Sequence, residues 1–189
     1  DDYIIIGTYA TKEVAIIPRS SPHDYTYLKQ NVEGYGRVVR IASHYAAVAS
    51  VNSVFLYERH EVDGNWQPEV IATLTVKALT LEMTDIDVAI CVDQVGVYIY
   101  SRTTLTVGSS SGGWNPNEKV ILTGGNAGRQ CDISKNYAIT GSCVYGRSGD
   151  GTWSTTPVAT LAVTGSRIGK GVQISSNFVV TSSDGNKAH

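Results

Sequence analysis

Apolar and polar positions recur along this chain with a period close to 42 residues. Five short apolar runs mark the period: Tyr3 to Gly7, Tyr45 to Ala49, Asp87 to Cys91, Tyr137 to Gly141 and Phe178 to Ser182. Their first residues are 42, 42, 50 and 41 positions apart. Two alternating apolar residues precede each complete run: Val39 and Ile41, Leu81 and Met83, Cys131 and Ile133, Val172 and Ile174. A segment ending in arginine follows: Val14 to Arg19, Val54 to Arg59, Val97 to Arg102, Cys143 to Arg147. Then come a glycine turn with a tryptophan (Trp66, Trp114, Trp153) and a last apolar stretch, such as Val70 to Leu74.

These segments read as strands. Period-two alternation is clear in Val39-Arg40-Ile41 and in Val97-Tyr98-Ile99-Tyr100, the spacing of side chains on opposite faces of a sheet. The second segment of each unit is apolar on both faces, which suits a strand buried on both sides. Asp63-Gly64 and Gly112-Gly113 sit where hairpin turns are needed, because glycine takes positive φ without steric cost. The pattern predicts an all-β chain of four-stranded antiparallel units, and units of this length that must stack to bury their faces are the blades of a β-propeller. The expected organisation is a partial blade over 1–35 (strands two to four), blades over 36–77, 78–124 and 125–164, and a partial blade over 165–189 (strands one and two). The second full blade carries a long Ser/Thr/Gly-rich insertion at 103–113 that should point outward at the rim. About four blades are present, so the chain is expected to belong to a larger ring, with a four- or five-bladed ring as the alternative.

The run Tyr35-Gly36-Arg37-Val38-Val39-Arg40-Ile41, followed by Tyr45 to Ala49, Val54 to Arg59 and Asp63-Gly64-Asn65-Trp66, resembles the FG-GAP repeats of integrin α-chain-type propellers. Ile168 to Ser175 with Asn177 to Val180, and Gly128 to Trp153, are further copies. The resemblance implies an extracellular or cell-surface protein, a ring that is often seven-bladed, and a role in adhesion, lectin-like binding or scaffolding. Many such repeats hold calcium in a loop of alternating Asp and Asn. The turns here offer Asp63, Asp150 and Asp184, one carboxylate each. A hard cation needs several oxygens, so these are weak candidates and no metal or cofactor is expected.

Composition narrows the function. Fifteen basic residues face 17 acidic ones, for a net charge of −2, which supplies no electrostatic footprint for nucleic acid. The longest apolar runs are too short to insert in a membrane as helices. The only methionine is Met83 and no signal-peptide pattern stands at residue 1, so a processed chain or a piece of a longer one is expected.

No catalytic constellation stands out. His23, His44, His60 and His189 lack metal-ligand spacing, and neither a nucleophile elbow nor a Walker loop occurs. Glu82 and Asp132, on first strands, are the carboxylates that an enzyme reading would use. Cys91 occupies the place of Gly7, Ala49 and Gly141, where a small buried side chain is wanted, and Cys131 that of Val39. Free buried thiols are expected, and a disulfide at Cys91 would contradict this phasing. The recurring Arg19, Arg59, Arg102 and Arg147, with Tyr57, Tyr100 and Tyr145, are expected to stack and pair within the fold. Loops between second and third strands are the expected ligand or partner surface: Tyr9, Asn52, Asp93 and Gln94. The expected function is a non-enzymatic, extracellular structural or adhesive interaction module. Its partners would be protein neighbours or further blades of the same polypeptide. A lectin-like glycan-binding propeller is the alternative, and a propeller enzyme comes third.

Overall fold

A computed structural model describes residues 2–60, 63–103, 113–124, 129–162, 171–175 and 178–181. They form 17 strands and no helix. The strands pair antiparallel and group into five successive sheets. The first sheet holds β1 (Tyr3–Thr8), β2 (Glu13–Pro18) and β3 (Thr26–Lys29), in that order. The second runs β4 (Val38–Ile41), β5 (Tyr45–Ala49), β6 (Val54–Glu58), β7 (Ala72–Leu74). The third is β8 (Thr80–Met83), β9 (Asp87–Val92), β10 (Gly96–Ser101), β11 (Val120–Leu122). The fourth is β12 (Cys131–Ile133), β13 (Tyr137–Thr140), β14 (Cys143–Gly146), β15 (Ala159–Thr160), and the fifth pairs β16 (Val172–Ile174) with β17 (Val179–Thr181).

Neighbours in sequence are neighbours in each sheet; in the three four-stranded sheets short turns join the first three strands and a longer segment leads to the fourth. The β13–β14 connection is the tightest, with Gly141 at φ +58°, a left-handed conformation that glycine reaches without strain. Gln94 takes φ +59° between β9 and β10. Beyond the third strand, Arg59, Arg102 and Arg147 pair across to Trp66, Trp114 and Trp153 as isolated antiparallel bridges. The bridge recurs although the segment between Arg and Trp differs in length from unit to unit. The insertion at 103–113 lies outside the described residues apart from Thr103 and Gly113, which close its base by a hydrogen bond from Thr103 N to Gly113 O (3.2 Å).

The chain divides into two compact units, one mostly residues 1–78 and the other mostly 88–189. In the first unit, Val14, Ile16 and Leu28 of the first sheet pack on Ala46, Val48, Phe55, Tyr57 and Trp66 of the second. In the second unit, Ala89, Val97, Ile99 and Leu122 of the third sheet pack on Ala138, Cys143, Tyr145 and Trp153 of the fourth. The two interfaces match position for position: Val14 with Val97, Leu28 with Leu122, Ala46 with Ala138, Tyr57 with Tyr145. Ile139 and Val144 then turn the other way, onto Val172, Ile174 and Val179 of the fifth sheet. Adjacent residues of one strand thus serve opposite interfaces, which is why the second strand of each unit carries apolar residues on both faces.

Cys91 and Cys131 form a disulfide, and Cys143 is a buried free thiol. This corrects the expectation of free thiols, and the inference drawn from it. The phasing survives, because Cys91 is buried on β9 where Gly7 stands on β1. A Cβ built on Gly7 would overlap the carbonyl oxygen of Gly36 and lie 3.0 Å from Val39 Cγ1. Gly7 and Val39 are the equivalents of Cys91 and Cys131. The disulfide therefore joins two positions that the repeat already places face to face.

Candidate ligand cleft and loop surfaces

The repeated tyrosine, arginine and tryptophan come together at the junction of the first and second sheets. Tyr3 enters β1, Arg59 leaves β6, and Trp66 is bridged to Arg59. The Arg59 guanidinium lies over the Tyr3 ring at 5.3 Å, and Tyr3 meets Trp66 edge to face at 5.8 Å. The arrangement recurs one repeat later, with Arg102 over Tyr45 at 4.8 Å and Tyr45 against Trp114 at 5.8 Å. Arg147 stacks on Trp153 at 5.4 Å. The repeated cation is thus held on an aromatic face, an arrangement worth roughly 0.5–2 kcal/mol depending on desolvation.

The tyrosines of the third strands are core residues. Tyr57, Tyr100 and Tyr145 are almost fully buried. Tyr57 shares a 2.7 Å hydrogen bond with Tyr35 Oη, and Tyr145 Oη donates to Thr123 O at 2.6 Å. Both partners stand 22 residues earlier, so each hydroxyl ties the third strand to the segment that leads into its own sheet. Burial pushes the Tyr145 phenol up to about 12 and raises Tyr35, Tyr57 and Tyr100 as well.

The first Tyr–Arg pair opens onto a cleft. It is lined by Asp2, Tyr3, Ile41, Ala42, Ser43 and Arg59, with a volume of about 200 Å³. Backbone hydrogen bonds hold each wall: Arg19 N to Asp2 O (2.8 Å), Ala42 N to Tyr45 O (2.8 Å) and Arg59 N to His44 O (2.8 Å). Tyr3 Oη donates to Gly64 O at 3.4 Å. Arg59 Nε is buried with no hydrogen-bond partner among the described residues. Sequence reading named Arg59 as structural and passed over Ser43 and Asp2. The available signal was the repeat itself, which puts Asp85 at the position of Ser43.

The other candidates stand apart from the cleft lining. Tyr9 is exposed in the β1–β2 turn and Asn52 in the β5–β6 turn. Asp93 and Gln94 are exposed between β9 and β10. The Asp63 carboxylate accepts from Asn65 N (2.9 Å) and meets His60 Nδ1 at 3.1 Å; the Asn65 amide is the main reason its pKa is lowered. Asp150 accepts from Ser148 Oγ and from Thr152 N (3.0 Å), with Ser148 the chief cause of its lowered pKa. Both are turn carboxylates whose Oδ1 closes the hairpin. Asp184 lies outside the described residues. Among the described residues, no group of three His, Cys, Asp or Glu is placed to hold a metal. Asp132, one of the carboxylates an enzyme would use, accepts from Ile133 N (2.8 Å) and from Ile174 N of the fifth sheet (2.6 Å), a structural tie between sheets.

No family model matches the chain, and no curated protein matches it. Among solved structures, the computationally designed protein Ika8 is similar in fold, with a TM-score of 0.62 at 11% identity. The match covers 100% of this chain and 54% of that one, so the chain spans about half the length of the designed protein.

Proposed function

We propose that this chain is part of a β-propeller of FG-GAP-like blades and serves as a non-enzymatic, extracellular interaction module in a larger assembly. The observation that carries the reading is an uncovered apolar sheet face. In the first sheet the cross-strand rows Ile6–Ala15–Tyr27 and Ile4–Ile17 share one side. Ile4 and Ile6 are 45% and 47% exposed, although their counterparts Ala46 and Val48 are fully buried against a preceding sheet. The repeat thus specifies what belongs on this face: another blade of the same kind, from the same polypeptide or a neighbouring chain. Phe178 and Val180 of the fifth sheet are likewise exposed. The matched interfaces between successive sheets support the propeller reading, and the Cys91–Cys131 disulfide supports an oxidising, extracellular setting.

The test is sedimentation of the 189-residue chain against an Ile4→Lys/Ile6→Lys variant. The parent should sediment well above 20.3 kDa, with a concentration dependence, and the variant should fall to the single-chain mass with its β-sheet spectrum intact. A parent chain that stays at single-chain mass at every concentration and binds no apolar dye would overturn the reading.

A second reading, lectin-like carbohydrate binding, is favoured by the Arg59–Tyr3 cleft with its polar rim.

A further inference from the structure

The cleft beside Arg59 differs from its own copy one repeat later, and that difference indicates a ligand. The equivalent positions are Asp2 and His44, Tyr3 and Tyr45, Ser43 and Asp85, Arg59 and Arg102. In the second copy, Asp85 Oδ1 accepts a hydrogen bond from His44 N at 3.0 Å and lies 3.8 Å from His44 Nδ1. An acidic side chain thus holds the backbone amide next to Tyr45, the residue that stacks with Arg102. In the first copy the residue at that position is Ser43, short and uncharged, and it lines the cleft. The cation there retains a buried Nε without a hydrogen-bond partner among the described residues. The first copy therefore carries its acidic residue at Asp2 and keeps the neighbouring position short and open at Ser43.

We infer that the cleft of Asp2, Tyr3, Ile41, Ala42, Ser43 and Arg59 binds a small polyhydroxylated carboxylate, an acidic sugar of the uronate type. This inference rests on the carbohydrate-binding reading above. Arg59 takes the carboxylate, by charge-assisted bonds stronger than neutral ones. The guanidinium keeps its stack on Tyr3, so it meets the ligand already oriented. Asp2 and Ser43 lie on the rim, where an acceptor and a hydroxyl suit the sugar's own hydroxyl groups. Asp2 also opposes a ligand that carries several negative charges, because like charges brought together raise the cost of binding. Ile41 and Ala42 give an apolar wall for ring C–H groups. About 200 Å³ is below the roughly 300 Å³ at which drug-sized pockets begin, which matches one ring rather than a chain of sugars.

The experiment is calorimetric titration of the full chain with glucuronate, with glucose and acetate as controls, repeated on Ser43→Asp and Arg59→Gln. Ser43→Asp installs the residue that the second copy already tolerates, so the fold should hold. The parent should bind glucuronate at least about tenfold tighter than glucose or acetate, and both variants should lose about tenfold or more. Equal binding of glucuronate and glucose would sink the acidic-sugar assignment and leave the lectin reading standing. Absence of binding to either sugar would remove both. Glucuronate binding that survives Ser43→Asp would place the ligand elsewhere and overturn the site, as would binding of an aspartyl peptide in place of the sugar.

Discussion

A tyrosine hydroxyl in the core does different work from one on the surface. Tyr145 is sealed on β14, with its hydroxyl committed to Thr123 O. Burial favours its neutral form, so its folded pKa of about 12 stands above the ordinary value of 10.0. Between those values the folded chain retains a proton that the unfolded chain has released. The contribution is complete below pH about 10 and is lost as pH climbs toward 12. Urea midpoints should therefore fall through that window, and absorbance at 295 nm should report a class of late-titrating tyrosines. Tyr145→Phe should weaken the pH dependence and cost about 1 kcal/mol from the Thr123 carbonyl left unpaired. The sequence placed Tyr57, Tyr100 and Tyr145 at one repeat phase and favoured a structural role. The partners 22 residues upstream of Tyr57 and Tyr145 were not legible, because one is a hydroxyl (Tyr35) and the other a backbone carbonyl (Thr123), with no repeated side chain to mark them.

Strand by strand, the apolar rhythm was enough to locate the elements. β5, β9 and β13 are the strands apolar on both faces, and their two-sided burial follows from the alternating partners seen for Ile139 and Ala138. Of the residues that share one phase, Gly141 takes a positive φ in its turn, Cys91 bonds to Cys131, and Gly7 is crossed by the carbonyl of Gly36. Gly7→Ala should overpack that crossing and cost roughly 1–3 kcal/mol, read as a lower thermal midpoint with an unchanged far-ultraviolet spectrum. The disulfide escaped the sequence reading for a related reason. Each cysteine was compared with its counterparts in other repeats, and each fitted its own position as a small hydrophobe. Comparing the two positions with each other was the step that could have paired them. The cleft escaped because Ser43 is an ordinary turn residue until Asp85 is set beside it.

For the molecule as a whole, the disulfide is the one covalent link between separate sheets among the described residues, joining β9 to β12 across 40 positions. Closing a loop of that length stabilises the folded chain by about 4 kcal/mol in the chain-entropy account. Cys91→Ala/Cys131→Val, which restores residues found at these phases in the second sheet, should lower stability by an amount of that order. Thiol titration of the denatured parent should find one reactive group before reduction and three after. Finding three without reduction would remove the bridge. The assembly state was not legible in the sequence, because every repeat presents similar faces.

The same bridge sets how the chain answers a pulling force. If its ends are drawn apart, tension passes from β9 to β12 through the sulfur atoms and bypasses the 40 positions between them. Roughly 140 Å of contour, at about 3.5 Å per residue, stays out of reach of the force until the bond is reduced. Extensibility thereby becomes a property set by the redox state of the surroundings, longer in a reducing milieu and shorter in an oxidising one.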